Sequence, residues 1–188
     1  MDFFADREFQ ASDLPSGQLK RGSYDSCTFR GLDLSGGYLD GCHFMDCYFD
    51  DCNLSNANIG GAQWSGVRFR GCKMMGLRFE SCGQFVSDLR FEHCQLDYAS
   101  FSGLEMKGTH FEDCSLREVD FTEAELGAAV FARCDLERAV FFHTGLERAD
   151  FTSAFRVVLD PEQNRLRNAR FSLEGLPGLL GRYGIQIE

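Results

Sequence analysis

Histidine is scarce in this 188-residue chain, with four in all, and tryptophan occurs once. No Ser, His and Asp set falls on a recognisable catalytic motif, and no Gly-rich loop has the spacing that cradles a phosphate. Runs such as "GGAQWSG" read instead as corners. An enzyme is therefore not expected, and no cofactor or metal is implied. Basic residues are also short, 19 Lys and Arg against 29 Asp and Glu, for a net charge of −10. A chain so charged repels nucleic acid and anionic membranes, so direct binding to either is not expected. The sequence shows no secretion signal, and with nine cysteines, an odd number, the expectation is a cytoplasmic protein with reduced thiols.

What is present is a period of five. Large apolar residues stand at Leu19, Tyr24, Phe29 and every fifth position to Phe79, then in a shifted register from Phe91 to Phe151. All 26 of these positions hold Leu, Phe, Ile, Met, Trp or Tyr. Phe4, Phe9 and Leu14 extend the first register backwards. A fifth residue lies roughly 140° round an α-helix and on the opposite face of a strand, so neither element gathers this set on one side. A chain that turns a corner once per repeat does, and four corners close a square coil of twenty residues. Residues twenty apart then stack: Phe91, Phe111, Phe131 and Phe151 form one column, and Leu96, Leu116 and Leu136 another. An internal repeat of this kind decides the fold.

Two residues before each large one sits a small or apolar residue, and all nine cysteines, from Cys27 to Cys134, fall at this second inward position. They read as buried small hydrophobes. Stacked parallel thiols suit neither a tetrahedral metal site nor a disulfide. The remaining three positions of each repeat are polar and face outwards.

Segments such as "VDFTEAEL", "CDLERAVF" and "ADFTSA" resemble the A(D/N)LXX signature of the pentapeptide repeat proteins. That resemblance covers most of the chain and implies a right-handed quadrilateral β-helix, an all-β solenoid in agreement with the square coil. The domain reading is a β-helix over residues 1–171 and a C-terminal helix with a short strand over 172–188.

From Phe79 to Phe91 is twelve residues, two repeats and two extra, a register shift within residues 80–90. Gly83, Gln84, Phe85, Val86, Ser87 and Asp88 are expected to form a projecting loop tip, either a binding element or a tolerated length error. Beyond Phe151 the pattern decays, with Arg156 and Pro161 where apolar residues are due. Ser172 is positioned to cap a helix carrying Leu173, Leu176, Leu179 and Leu180, ended by Gly181 or Gly184. Ile185 and Ile187 then read as a short strand. This helix covers the open end of the solenoid, and its surplus leucines predict a two-fold homodimer through Leu173, Leu176, Leu179, Leu180, Ile185 and Ile187.

The ending "LDPEQNRLRNARFSLEGLPGLLGRYGIQIE" resembles one subgroup of the family, the Qnr-type quinolone-resistance proteins and the immunity proteins against microcin B and albicidin. The likeness rests on Asn168 to Ser172, the Leu179–Leu180 pair and Ile185 to Ile187. It implies a DNA mimic that binds DNA gyrase or topoisomerase IV and protects it from poisons. Such a protein would lie in a basic groove built for duplex DNA, itself a narrow rod of regular negative charge. The expected contacts are Gln84, Phe85 and Asp88 of the loop, with Asp50, Asp51, Glu112, Asp113 and Glu123 as the acidic surface. The alternative is a non-enzymatic scaffold for another protein, whose acids serve solubility and turns.

Overall fold

The computed structural model of the chain describes residues 1–14, 17–83 and 86–185. Gln84, Phe85 and Ile187, three of the expected contact residues, lie outside them. The strands are short. In the N-terminal half they are β1 (Asp2–Ala5), β2 (Glu8–Phe9), β3 (Gly22–Asp25), β4 (Thr28–Arg30), β5 (His43–Met45), β6 (Tyr48–Asp50), β7 (Gln63–Ser65) and β8 (Arg68–Arg70). Then come β9 (Val86–Ser87), β10 (Arg90–Glu92), β11 (His110–Glu112), β12 (Val130–Ala132), β13 (Asp150–Phe151) and β14 (Arg170–Phe171), followed by one helix, α1 (Leu176–Leu180).

Every pairing among these strands is parallel. One ladder runs β1-β3-β5-β7-β9 and a second runs from β2 through β4, β6, β8, β10, β11, β12 and β13 to β14. Two further faces are closed by isolated parallel bridges such as Gln95 with Ser115 and Ser100 with Asp120. Phe91 lies opposite Phe111, and Phe111 opposite Phe131, so one coil takes twenty residues. The result is the expected right-handed quadrilateral β-helix, of about eight turns. At about 4.8 Å per coil it is a rod roughly 40 Å long.

Corners need a residue in the left-handed region; in the N-terminal half the sequence mostly supplies Gly, Asp or Asn there, and further on also Tyr98, Glu118, Arg133 and Arg138. Gly31, Gly36, Gly41, Asp46, Asp51 and Asn56 occupy six successive corners with φ between 50° and 62°. Asp and Asn tolerate this conformation better than other side chains. The outer Asp and Asn residues of the repeat are thus partly a backbone requirement.

The core is two columns of rings at a time. Phe91, Phe111, Phe131, Phe151 and Phe171 stack with centroids 4.7–5.2 Å apart and planes within 7°. Each ring also meets the neighbouring column edge-on, as Phe111 does Phe121 at 6.1 Å and 75°. Such pairs add about 0.5–1.5 kcal/mol each beyond area burial. The second column changes face at the register shift. Phe4, Tyr24, Phe44 and Trp64 stack behind the first ladder, then Val86 and Met106 take over that face. Phe79, Phe101, Phe121 and Phe141 form a new column beside it.

All nine cysteines are buried and unpaired. Their thiols donate to carbonyls of the preceding coil, Cys72 to Phe49 at 3.2 Å, Cys94 to Phe69 at 3.4 Å and Cys114 to Phe91 at 3.5 Å. Burial pushes the Cys47 thiol up to about 12 and Cys82 to about 11, so both stay protonated.

The expected loop is smaller than the sequence suggested. Cys82 Sγ donates to Ile59 C=O across the twenty-three residues usual for an intact coil, but Trp64 pairs with Val86, twenty-two residues on in place of twenty. The two extra residues therefore fall between Cys82 and Val86. Val86 and Ser87 are strand β9, with Val86 buried, and Asp88 is the next corner at φ 47°. Val86–Asp88 therefore belong to the coil, because Val86 is already the apolar residue of the new register.

At the other end, Arg156 points out of the rod and Val157 and Leu159 turn in, so the core resumes one residue late. The helix is also shorter than expected. Ser172 Oγ accepts from Gly175 N–H at 3.1 Å, capping a turn, and α1 begins only at Leu176, with Pro177 in its first turn, where a missing N–H costs nothing. Gly184 ends the following 3₁₀ turn (Gly181–Tyr183) in the left-handed region. Ile185 belongs to no strand.

Candidate functional site

The acidic residues divide into those neutralised within the coil and those left free. Asp50 is only 8% exposed and lies between Arg30 at 3.5 Å and Arg70 at 3.2 Å. It is an internal counter-ion, so its expected place on an open acidic surface is corrected. Glu112 and Asp113 share Arg133, at 2.5 and 2.7 Å. The Arg133 guanidinium holds the Asp113 carboxyl below the usual carboxylate range. Asp51, Asp88 and Glu123 are exposed corner residues that have no ion pair among the described residues.

Nor do these residues converge. Asp51 and Asp113 share the corner that follows the long ladder, whereas Glu123 follows the Ser100–Asp120 face and lies diagonally across the rod. Asp88 takes a third corner, after β9. The expected contacts thus form no single patch, which the five-residue period already implied. Consecutive repeats sit on successive faces.

Arginine explains much of the neutralisation towards the C-terminus. Arg117 and Arg156 both reach Asp135, Arg165 bridges Glu125 and Glu147, and Arg170 meets Asp150. Apart from Arg165–Glu125, which spans two coils, these pairs link residues on adjacent coils, so they follow from the twenty-residue stacking. In the N-terminal half Asp33, Asp40 and Asp46 have no such partner among the described residues.

The register shift leaves a cleft. Phe79–Cys82 tightens into a 3₁₀ turn, and no backbone hydrogen bond joins Val86–Asp88 to Glu105–Lys107. The ladder is whole on either side, through Gly66 N–H to Ser87 C=O and Met106 N–H to Glu125 C=O. A depression of about 600 Å³ opens there, bordered by Glu80, Val86, Ser87, Leu104 and Glu105. A smaller one of about 180 Å³ extends it past Asp88 and Lys107. Glu80 Oε1 accepts from Arg78 Nε at 2.7 Å, but its Oε2 is sealed from solvent with no hydrogen-bond partner.

At the C-terminal end the predicted interface residues separate by role. Leu179 packs against the core, while Leu173, Leu176 and Ile185 are exposed, Leu173 by 81%. Leu159 N–H donates to Gly178 C=O at 3.3 Å, fixing α1 across the end of the rod. The helix therefore turns Leu179 to the core and leaves Leu176 exposed, with Leu173 and Ile185 exposed on either side of it in sequence. Among the described residues no helix is long and apolar enough to cross a membrane, and no group of His, Cys, Asp and Glu could hold a metal ion.

The pentapeptide repeat region profile matches residues 17–101 and 42–121, and the eight-copy pentapeptide repeats profile matches 120–155. The chain belongs to the pentapeptide repeat family. No curated protein matches the sequence. Among solved structures, trypsin-treated QnrB1, described as a plasmid-mediated fluoroquinolone resistance protein, is similar with a TM-score of 0.52 at 20% identity, covering 99% of this chain and 97% of that one. HetL, a pentapeptide repeat protein involved in heterocyst differentiation regulation in the cyanobacterium Nostoc sp. strain PCC 7120, has a TM-score of 0.54 at 16% identity. That match covers 92% and 85% of the two chains. At these identities the likeness is one of fold.

Within this pentapeptide repeat protein, sequence reasoning missed Glu80 and Glu105 as residues of one site. The signal was available in part: Glu80 lies about one repeat before the two extra residues and Glu105 about one coil after them. What the sequence did not show is that the coil opens on its C-terminal side and remains bonded on its N-terminal side.

Proposed function

We propose that the protein is a cytoplasmic, dimeric DNA mimic that binds a type II topoisomerase, DNA gyrase or topoisomerase IV, and protects it from poisons such as quinolones or peptide antibiotics. The observation that carries this reading is the set of exposed corner carboxylates, Asp46, Asp51, Asp88 and Glu123, that have no ion pair among the described residues of a narrow rod. They stand on three of the rod's corners, so negative charge surrounds it, as it surrounds the duplex that a basic groove accepts. The terminal sequence from Asn168 to Ile187, with its likeness to the resistance and immunity subgroup, supports the same reading. The exposed Leu173, Leu176 and Ile185 supply an apolar surface for a second copy.

A second reading, a non-enzymatic scaffold for another protein partner, is favoured by the arginine pairing of Glu112, Asp113, Asp135 and Asp150. The deciding experiment is gyrase supercoiling and cleavage with ciprofloxacin and the purified protein in a concentration series. Rescue of supercoiling at low protein, with inhibition only at high protein, is the expected result. The effect should weaken as salt rises and be competed by duplex DNA. No effect on either reaction leaves the scaffold reading.

A further inference from the structure

The cleft at the register shift is an interrupted parallel sheet. In intact coils of this face the central residue and the corner residue donate forwards to the next coil, as Met106 does to Glu125 and Gly108 to Gly127. Val86 and Asp88 occupy the same two positions, yet neither N–H reaches Glu105 or Lys107. One border therefore presents the unused donors of Val86 and Asp88 and the other the acceptors of Glu105 and Lys107 that they fail to reach, a condition under which an extended chain adds as a strand. Buried or half-buried backbone groups of this kind demand partners.

The walls say what kind of chain fits. Glu80, Asp88 and Glu105 face Lys107 as the one cation among the described lining residues. Glu80, on this border, keeps one carboxylate oxygen, Oε2, without a hydrogen-bond partner. Val86, Leu104 and Met106 form an apolar floor between these acids. Alternate side chains of an added strand point to opposite sides, so one set would meet this floor and the other the carboxylates.

We propose that the cleft binds an extended, lysine- or arginine-bearing segment of a partner protein as an added strand between Val86–Asp88 and Glu105–Lys107. This goes beyond the topoisomerase reading and stands without it, because the recognition lies in strand pairing and charge at one place on the rod.

The test uses the full chain, labelled with ¹⁵N, and an acetylated, amidated peptide of alternating lysine and valine as the probe. Amide shifts confined to Val86–Asp88 and Glu105–Lys107, with slowed exchange of the Val86 and Asp88 amides, are expected. Glu105→Lys, an exposed change, should weaken binding by about fivefold, the scale of one ion pair, with an unchanged melting curve. Glu80→Gln provides a second reading of the same wall should Glu105→Lys unfold. A peptide N-methylated at alternate residues keeps the charge but cannot pair, and it should not bind. Equal binding of that peptide, shifts spread over Asp33, Asp46 and Asp51, or no shift at millimolar peptide would each overturn the proposal.

Discussion

The Thr144 hydroxyl donates a 2.9 Å hydrogen bond to the carbonyl of Phe121, twenty-three residues earlier and one coil down. Cys94, Cys114 and Cys134 donate across the same twenty-odd-residue step, and Asn164 Nδ2 reaches Phe141 C=O at 3.0 Å. At the small inward position a side chain with a donor can thus reach the carbonyl below, while Ala57, Ala62 and Val67 fill it without one. Cysteine serves because it is small, apolar and still carries an S–H.

That equivalence makes a prediction for the thiol column. Cys134→Ala removes the donor and leaves a small void, and should cost about 1–3 kcal/mol. Cys134→Thr keeps a donor, as Thr144 does, and should cost less than the alanine change. Urea unfolding of both variants beside the parent measures the difference. An alanine variant as stable as the parent would show that the thiol is only a spacer.

Asp135 predicts the acid limb of stability. Burial raises its pKa, but Arg117, the Glu137 backbone N–H and Arg156 together outweigh that and hold it below the usual carboxylate range. A group depressed in the folded state stabilises fully above its unfolded value, about 3.9, and the gain disappears as pH falls through the folded value. Melting temperature should therefore fall steeply below about pH 4. Asp135→Asn should lower stability at pH 7 by about 1–3 kcal/mol and flatten that limb. A parallel acid limb in the variant would mean that other carboxylates govern it.

How far the sequence discloses the molecule depends on the range of the interactions. Phe111 and Phe131 are legible as stacked because the coil repeats them at a fixed spacing, and the same logic located every cysteine. Arg156 was not, since its outward turn depends on Asp135, one coil away and itself shared with Arg117. Asp50 failed for the same reason: the composition shows its charge, but only stacking brings Arg30 and Arg70 to it. The cleft was half legible. Counting gave the two extra residues between Phe79 and Phe91, while which neighbouring coil they would release is a matter of packing.

Gly178 should be required by the cap. A Cβ built there would come within 1.8 Å of the Val157 carbonyl oxygen, a backbone atom that cannot swing aside. Gly178→Ala must therefore lift α1 from Val157–Leu159 and break the Leu159 N–H bond to Gly178 C=O. A loss of about 2–4 kcal/mol is expected, together with faster amide exchange at Leu159. The coils from Phe29 to Phe121 should keep their exchange rates, because repeats contact only their neighbours. Uniform acceleration along the whole rod would show instead that the solenoid unfolds as one unit and that the cap governs all of it.

Deleting Gln84 and Phe85 should heal the register shift. Val86 then falls five residues after Phe79, Cys82 keeps its place two residues before it, and Phe91 follows five later. Val86 and Asp88 regain the chance to bond Glu105 and Lys107, two or three hydrogen bonds at about 1 kcal/mol each. The melting temperature should rise by roughly 5 °C for a chain of this size. The same deletion should abolish binding of the lysine–valine peptide, since the gap that admits a strand has closed. Removal of residues 84–88 is a different experiment, because it takes β9 and the Asp88 corner out of the coil and should destabilise the rod. Should the two-residue deletion lower the melting temperature, the extra residues are part of the fold's own support, and the open ladder is a cost the coil accepts in order to keep them.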